Sequence, residues 1–213
     1  MKNSNLLFVA ILSLGLFQSV NAQDNNDINL ANHQLNINVP EIAILDIYDS
    51  NTGFEAGPIE FNMADATEAG VNSEAGSYQF SAIDYQGLYI NYTSVVGKVG
   101  SGFDTTRQID VQFEPGSTFP SNLDLRISPQ APVITANGGT VSSAGAVTAP
   151  GIVLGTTTPA GTDALLVNSI ESVYTGNEAW GVKLAYTLEQ NGNFAGYEAG
   201  LYQATLRYTL SDF

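Results

Sequence analysis

Strict alternation of apolar residues near the C-terminal end constrains the fold more than any other feature of the sequence. In residues 180–188 and again in residues 202–210, every second residue is apolar. A β-strand points successive side chains to opposite faces of its sheet, so each run has one apolar face. The apolar positions are Trp180, Val182, Leu184, Tyr186 and Leu188 in the first run, and Tyr202, Ala204, Leu206, Tyr208 and Leu210 in the second. The turn-rich residues between the runs predict two neighbouring antiparallel strands.

The two runs also supply the candidate functional residues. Trp180 and Tyr186 are assigned to the hydrophobic core, because they share the apolar face of their strand. The second run, from Tyr202 to Leu210, is a candidate assembly strand, since the edge of a sheet can pair with a strand of another chain. The sequence leaves open whether that strand lies at an edge or in the middle of its sheet.

Similar alternation recurs along most of the chain. Examples are Ile109, Val111 and Phe113 in one segment and Leu123 and Leu125 in the next. No segment shows the helical period over the length that a helix needs. About ten short strand candidates at this spacing predict an all-β fold, a single antiparallel β-sandwich of the Ig-like kind.

Residues 128–162 differ in composition from the rest of the chain. This tract is rich in Gly, Ala, Thr and Pro, and it contains neither an aromatic nor a charged residue. We predict a loop region within the sandwich domain, with short strands only at Val133–Ile134 and Ile152–Leu154.

The N-terminal residues have the pattern of a secretory signal peptide. A short segment with Lys2 precedes an almost continuous apolar run from Leu6 to Val20, and small residues follow up to Ala22. This pattern predicts cleavage after Ala22, so that residues 1–22 are removed and residues 23–213 form the domain. The expected location is therefore extracytoplasmic: secreted, periplasmic or at the cell surface.

The charge of the chain disfavours two classes of partner. It contains 21 acidic and 6 basic residues, for a net charge of −15, and the basic residues are far apart in sequence. Nucleic acids and anionic membrane surfaces are bound by clustered Lys and Arg, so neither is expected here. No later segment is long and apolar enough for a transmembrane helix.

The sequence offers little material for catalysis or metal binding. There is one His, His33, and no Cys, which excludes thiolate sites and multi-histidine sites. The residues from Asp49 to Gly53 resemble the start of a calcium loop, but they are better explained as an Asx turn. We therefore expect no enzyme activity and no catalytic, cofactor-binding or metal-ligating residues.

The C-terminal residues resemble two groups of exported proteins. The run from Gly200 to Leu210 is similar to the closing strand of WxL-type bacterial surface domains and of pilin-like, spore-coat-type secreted β-sandwiches. Where WxL domains carry their Trp-x-Leu motifs, this chain reads Tyr208-Thr209-Leu210 and Trp180-Gly181-Val182. The resemblance implies an exported sandwich without enzyme activity, used in surface attachment or surface assembly.

These observations favour an acidic, non-catalytic structural or adhesion protein of the cell surface or extracellular space. The alternatives are a small outer-membrane β-barrel and a secreted carbohydrate-binding module, for which Tyr85, Tyr89 and Tyr197 are candidate exposed rings. Expected partners are further copies of the chain, other surface proteins, or cell-wall or extracellular polysaccharide.

Overall fold

The structure, a computed structural model, describes residues 33–66, 80–134, 138–155 and 158–212. The predicted signal peptide, residues 1–22, lies outside the described residues. The chain divides into two compact units, Met1–Val39 and Pro40–Phe213. In the first unit the described residues contain no strand, although Leu35, Ile37 and Val39 alternate. All the strands described below belong to the second unit.

The described residues of the second unit form eleven strands and three short 3₁₀ turns. The strands are β1 (Ile42–Asp49), β2 (Phe54–Glu55), β3 (Ile83–Val95), β4 (Arg107–Phe113), β5 (Leu123–Gln130), β6 (Ala146–Val147), β7 (Ile152–Leu154), β8 (Ala164–Ile170), β9 (Val173–Tyr174), β10 (Val182–Gln190) and β11 (Leu206–Asp212). The 3₁₀ turns are Met63–Asp65, Ser142–Ala144 and Glu178–Trp180.

The strands form two antiparallel sheets. A seven-stranded sheet has the order β2-β1-β3-β10-β5-β7, with β9 also pairing with β3, and a four-stranded sheet has the order β11-β4-β8-β6. The sheets are open and are not closed into a barrel. The prediction of an all-β antiparallel sandwich is therefore confirmed.

The inward faces of the two sheets share one hydrophobic core. Alternate residues of β3, β4, β5 and β10 point into it, as their sequence pattern requires. Its buried members from these strands are Leu88, Ile90, Tyr92, Ile109, Val111, Phe113, Leu125, Ile127, Val182, Leu184 and Tyr186. From β3 to β9 each successive strand lies in the opposite sheet, so the sheets are joined by many chain crossings.

The two C-terminal strands are not hydrogen-bonded neighbours, so that prediction is wrong. β10 lies between β3 and β5 in the seven-stranded sheet, whereas β11 pairs with β4 in the other. Both edges of β10 are occupied, and residues 191–205 carry the chain across to the second sheet. The two strands instead face each other across the core, where the hydroxyl groups of Tyr186 and Tyr208 are hydrogen-bonded.

The tract 128–162 contains more structure than its composition predicts. Ile152–Leu154 forms β7, as the sequence indicates, and Ala146–Val147 adds the short strand β6. Val133 and Ile134 form no strand. β6 and β7 are edge strands of the two sheets, so this tract closes one lateral side of the sandwich.

Candidate functional site

The last strand lies at an edge of its sheet. β11 pairs with β4 along its whole length, from Leu206 opposite Phe113 to Asp212 opposite Arg107. Among the described residues, no strand pairs with its other side. The question that the sequence leaves open is therefore answered by the sheet order: β11 is an edge strand.

The pairing with β4 determines which backbone groups of β11 point outward. The amide of Glu114 donates to the carbonyl of Thr205 at 2.8 Å, so these two opposite residues form a hydrogen-bonded pair. In an antiparallel ladder such pairs alternate with non-hydrogen-bonded pairs. Arg207, Thr209 and Ser211 therefore bond to β4 through their backbone. The N–H and C=O groups of Leu206, Tyr208, Leu210 and Asp212 point away from β4, toward the open edge.

The side chains of β11 alternate between the core and solvent. Leu206, Tyr208 and Leu210 pack against the core and remain partly accessible, whereas Arg207 and Thr209 are exposed. The predicted assembly strand began earlier, but Tyr202 and Ala204 precede β11 and are exposed, so the prediction is wrong for these two residues. The hydrogen-bond register shifts beside the turn at Pro115 and Gly116, where the amide of Thr118 donates to the carbonyl of Gln203.

A groove lies between the edge of β11 and the edge of the other sheet. It has a volume of about 410 Å³, and its apolar lining comes from Leu45, Ile47 and Ala56 on one side and Leu206 and Tyr208 on the other. These five side chains pack against the core without being fully buried. The hydrophobic core is thus left partly uncovered at this flank of the sandwich.

Charged residues border the groove. Glu55 and Asp46 stand on the β1–β2 side, and Glu114 and Arg207 on the β11 side, with 3.7 Å between Arg207 Nη1 and Glu114 Oε1. The rim therefore has three carboxylates and one guanidinium. This balance disfavours an acidic ligand at the groove.

Two tyrosines join the sheets beneath the groove. The hydroxyl groups of Tyr186 on β10 and Tyr208 on β11 are hydrogen-bonded to each other. Burial raises the pKa of Tyr186 to about 12, although the bond to Tyr208 partly opposes that increase. Burial also raises the pKa of Tyr208 well above its ordinary value, with the neighbouring Tyr186 adding to the effect.

These raised pKa values predict that the protein loses stability in strong alkali. In the unfolded chain both tyrosines release their protons near pH ~10, whereas the folded state keeps them protonated to higher pH. The stabilisation is fully present below pH ~10, and between pH ~10 and ~12 it falls by up to about 1.4 kcal/mol per pH unit for each tyrosine. Urea unfolding at several pH values in this range should show the free energy of unfolding falling with pH, and it should fall less steeply for Tyr186→Phe than for the unmodified protein. An equally steep fall for both proteins would contradict the raised pKa of Tyr186.

A buried arginine at the other end of β11 also joins the two sheets. Arg107 is only 4% exposed, and its Nε donates to Asp212 Oδ1 at 2.8 Å. Its Nη1 donates to the carbonyl oxygens of Ile42 at 2.7 Å and Val95 at 3.0 Å, which belong to the opposite sheet. Arg107 therefore fixes the C-terminal end of the edge strand. Arg107 was not among the residues predicted from the sequence, although it points to the same side of the strand as Ile109, Val111 and Phe113.

Trp180 is not a core residue, contrary to the prediction. It ends the 3₁₀ turn that precedes β10, and 42% of it is exposed. Its backbone is nevertheless fixed, since its carbonyl accepts a hydrogen bond from the Val133 amide at 3.0 Å. The alternation fails here because the chain turns at Gly181, which passes so close to the Ile90 carbonyl that a Cβ atom would overlap it. By contrast, Tyr186 is buried.

Of the three tyrosines considered for sugar binding, Tyr85 and Tyr89 are half-buried in β3, and Tyr197 belongs to a group of rings that form no flat platform. Phe80, Phe194, Tyr197 and Tyr202 make a row, but successive rings are inclined by 89°, 78° and 69°. A sugar stacks on an aromatic face, and steeply inclined rings present no shared face. Three of these rings, Phe194, Tyr197 and Tyr202, lie in the connection between β10 and β11, and Phe80 packs against the first of them.

The segment from Asp49 to Gly53 is an Asx turn. Asp49 is buried, its Oδ1 accepts from the Asn51 amide at 2.9 Å, and its Oδ2 accepts from the Tyr85 hydroxyl at 2.6 Å. Both carboxylate oxygens are thus engaged within the protein. In the described ranges no group of three or more His, Asp or Glu side chains is placed to hold a metal ion.

Comparisons with known proteins leave the family open. No protein-family model, curated protein or solved structure matches the chain. The resemblance to WxL-type and pilin-like domains remains a prediction. In the part of the chain that the structure describes, no helix is long and apolar enough to cross a membrane.

Proposed function

We propose that this chain is an exported, non-catalytic structural or adhesion protein of the cell surface or extracellular space. We further propose that it assembles with other copies of itself through the open edge of β11. The observation that carries this proposal is an edge strand in which the backbone N–H and C=O groups of four residues point away from the sheet. This edge lies next to a groove where the core is partly uncovered.

The physical argument concerns the unpaired backbone of β11. Natural proteins protect exposed edges with charged residues, prolines, bulges or covering loops, because an unprotected edge pairs with other chains. β11 contains no proline. Its charged residues are Arg207, which faces solvent beside Glu114, and Asp212, which accepts a hydrogen bond from Arg107. A strand added at this edge would form new backbone hydrogen bonds and would cover the apolar side chains in the groove. Export is supported by the apolar run from Leu6 to Val20 and the small residues that follow it.

Two proline substitutions on neighbouring residues of β11 test the proposal. The Leu210 amide points to the open edge, so Leu210→Pro removes a donor for an added strand and keeps the bonds to β4. The Thr209 amide bonds to β4, so Thr209→Pro breaks the ladder and should lower the free energy of unfolding by about 1–3 kcal/mol. We expect Leu210→Pro to give a folded monomer that no longer self-associates, as measured by sedimentation velocity over a range of concentrations.

The experiment uses protein purified after secretion, whose first residue by N-terminal sequencing should be Gln23. The assembly proposal is wrong if the unmodified protein stays monomeric at every concentration. It is also wrong if a folded Leu210→Pro protein associates as strongly as the unmodified one. A mature chain that retains Met1 would contradict the export proposal.

A further inference from the structure

The segment just before β1 matches the open edge of β11 in length and pattern. Residues 33–39 read His-Gln-Leu-Asn-Ile-Asn-Val, with apolar residues at alternate positions. β11 has seven residues, and it too has three inward apolar residues at alternate positions. Both therefore have the pattern of a strand with one apolar face.

The apolar side chains of this segment are exposed. Leu35, Ile37 and Val39 are 74%, 75% and 68% exposed. Such exposure is unusual for three alternating aliphatic residues, because burial of each would stabilise the protein by about 1.5–3 kcal/mol. The groove beside β11 presents the complementary feature, a set of core side chains that are only partly covered.

We propose that residues 33–39 of one copy add as an antiparallel strand to the edge of β11 in a second copy. This inference rests on the assembly function proposed above and identifies its partner surface. In the register that aligns the two apolar patterns, Val39 lies opposite Leu206, Ile37 opposite Tyr208, and Leu35 opposite Leu210. All three side chains of the added strand then face the core side of the sheet. Two of them, Val39 and Ile37, lie opposite Leu206 and Tyr208, which line the groove.

The backbone groups fit the same register. Leu206, Tyr208 and Leu210 are the residues whose N–H and C=O groups point outward, so the three apolar pairs are also the hydrogen-bonded pairs. Pro40 follows Val39 and has no N–H to donate, which ends the added strand beside the start of β11. Antiparallel pairing is slightly more stable per residue than parallel pairing, which favours this direction.

The charges of this segment are also compatible with the proposed pairing. The chain carries 21 acidic residues, yet none lies between Ile28 and Pro40. The segment can therefore approach Glu55 and Glu114 at the groove without repulsion. The same register places His33 opposite Asp212, whose side chain is 54% exposed, so the one histidine meets a carboxylate.

This contact joins two different surfaces, the segment of one copy and the edge of the next. Such a heterologous contact repeats from copy to copy and produces an open chain of subunits unless the rotation closes a ring. The proposed assembly is therefore a linear array in which each subunit completes the core of its neighbour.

Cysteine substitution tests the register directly, because the chain has no cysteine of its own. Asn36 lies opposite Thr209 in a non-hydrogen-bonded pair, where side chains approach closely enough for a disulfide. We expect Asn36→Cys protein mixed with differently tagged Thr209→Cys protein to give a disulfide-linked heterodimer under mild oxidation. The matched control replaces Thr209→Cys by Ala146→Cys, an exposed residue at the opposite edge of the same sheet, and should give no such product.

A second pair of variants compares the two faces of the segment. One double variant, Leu35→Asp with Ile37→Asp, carries two new charges on the apolar face. The other double variant, Asn36→Asp with Asn38→Asp, carries the same two charges on the polar face. We expect the first to weaken association at least ~100-fold and the second to leave it within ~10-fold. Because all four residues are exposed, far-ultraviolet circular dichroism should show that both proteins remain folded.

Three outcomes would overturn the proposal. The first is that Asn36→Cys protein cross-links equally to the Thr209→Cys and Ala146→Cys proteins, or to neither. The second is association that survives Leu35→Asp with Ile37→Asp. The third is an intrachain disulfide in a dilute double variant, Asn36→Cys with Thr209→Cys, which would show that the segment binds its own chain. If Leu210→Pro abolishes association while the aspartate pair does not, the edge function stands and the assignment of residues 33–39 fails.

Discussion

Leu184→Ala is expected to lower the free energy of unfolding by about 2–5 kcal/mol, whereas Trp180→Ala should lower it by about 1–2 kcal/mol. Leu184 lies in the middle of β10, fully buried between β3 and β5. Removing its side chain loses apolar burial and leaves a cavity. Trp180 is the larger residue, but 42% of it is exposed in a turn, so its removal leaves no enclosed cavity.

The comparison is informative because the sizes of the two side chains alone predict a larger loss of stability for Trp180→Ala than for Leu184→Ala. Urea denaturation of the two variants, read by circular dichroism, gives both free energies if the slopes against denaturant remain equal. A loss of about 3 kcal/mol or more for Trp180→Ala would indicate that Trp180 is a buried core residue.

Arg107→Met is expected to lower the free energy of unfolding by about 3 kcal/mol. Methionine keeps much of the stem, but it cannot donate to the carbonyl groups of Ile42 and Val95 or to Asp212. Each buried acceptor left without a donor costs about 1–3 kcal/mol. The substitution should also loosen the end of β11, because Asp212 loses its link to β4.

The matched control is Arg207→Met on β11. Arg207 is half exposed, and its 3.7 Å contact with Glu114 is a surface ion pair, so the change should cost no more than ~0.5 kcal/mol. Both variants are measured by thermal and urea unfolding at the same ionic strength. Equal losses for the two arginines would show that Arg107 does not join the sheets.

The alternation in the sequence predicts which face of each strand is buried. In β3, β4, β5 and β10 the inward residues are those that the pattern indicates, as Ile109, Val111 and Phe113 illustrate. The same pattern does not locate the ends of a strand. It includes Trp180 and Tyr202, where the chain has not yet entered the sheet.

The alternating pattern does not predict which strands pair with each other. β10 and β11 were predicted to be neighbours because they follow each other in sequence, but β10 pairs with β3 and β5. The choice of partner depends on contacts between distant parts of the chain, and a two-residue period carries no information about them.

Arg107 shows how a site residue can be visible in the sequence and still be missed. It occupies an inward position of an alternating run, where a charged residue requires buried partners. Those partners are two carbonyl groups and the carboxylate of Asp212, which lie far from it in sequence. The groove and the outward amides of β11 likewise follow from the sheet order, which only the structure provides.

Amide hydrogen exchange of β11 at low and high protein concentration tests the central claim most directly. In the dilute monomer the amides of Leu206, Tyr208 and Leu210 should exchange rapidly, while those of Arg207, Thr209 and Ser211 are protected by β4. At high concentration the first set should become protected, and the second should change little. If the two sets are protected alike in the monomer, or if neither set responds to concentration, β11 is not the edge through which this protein assembles.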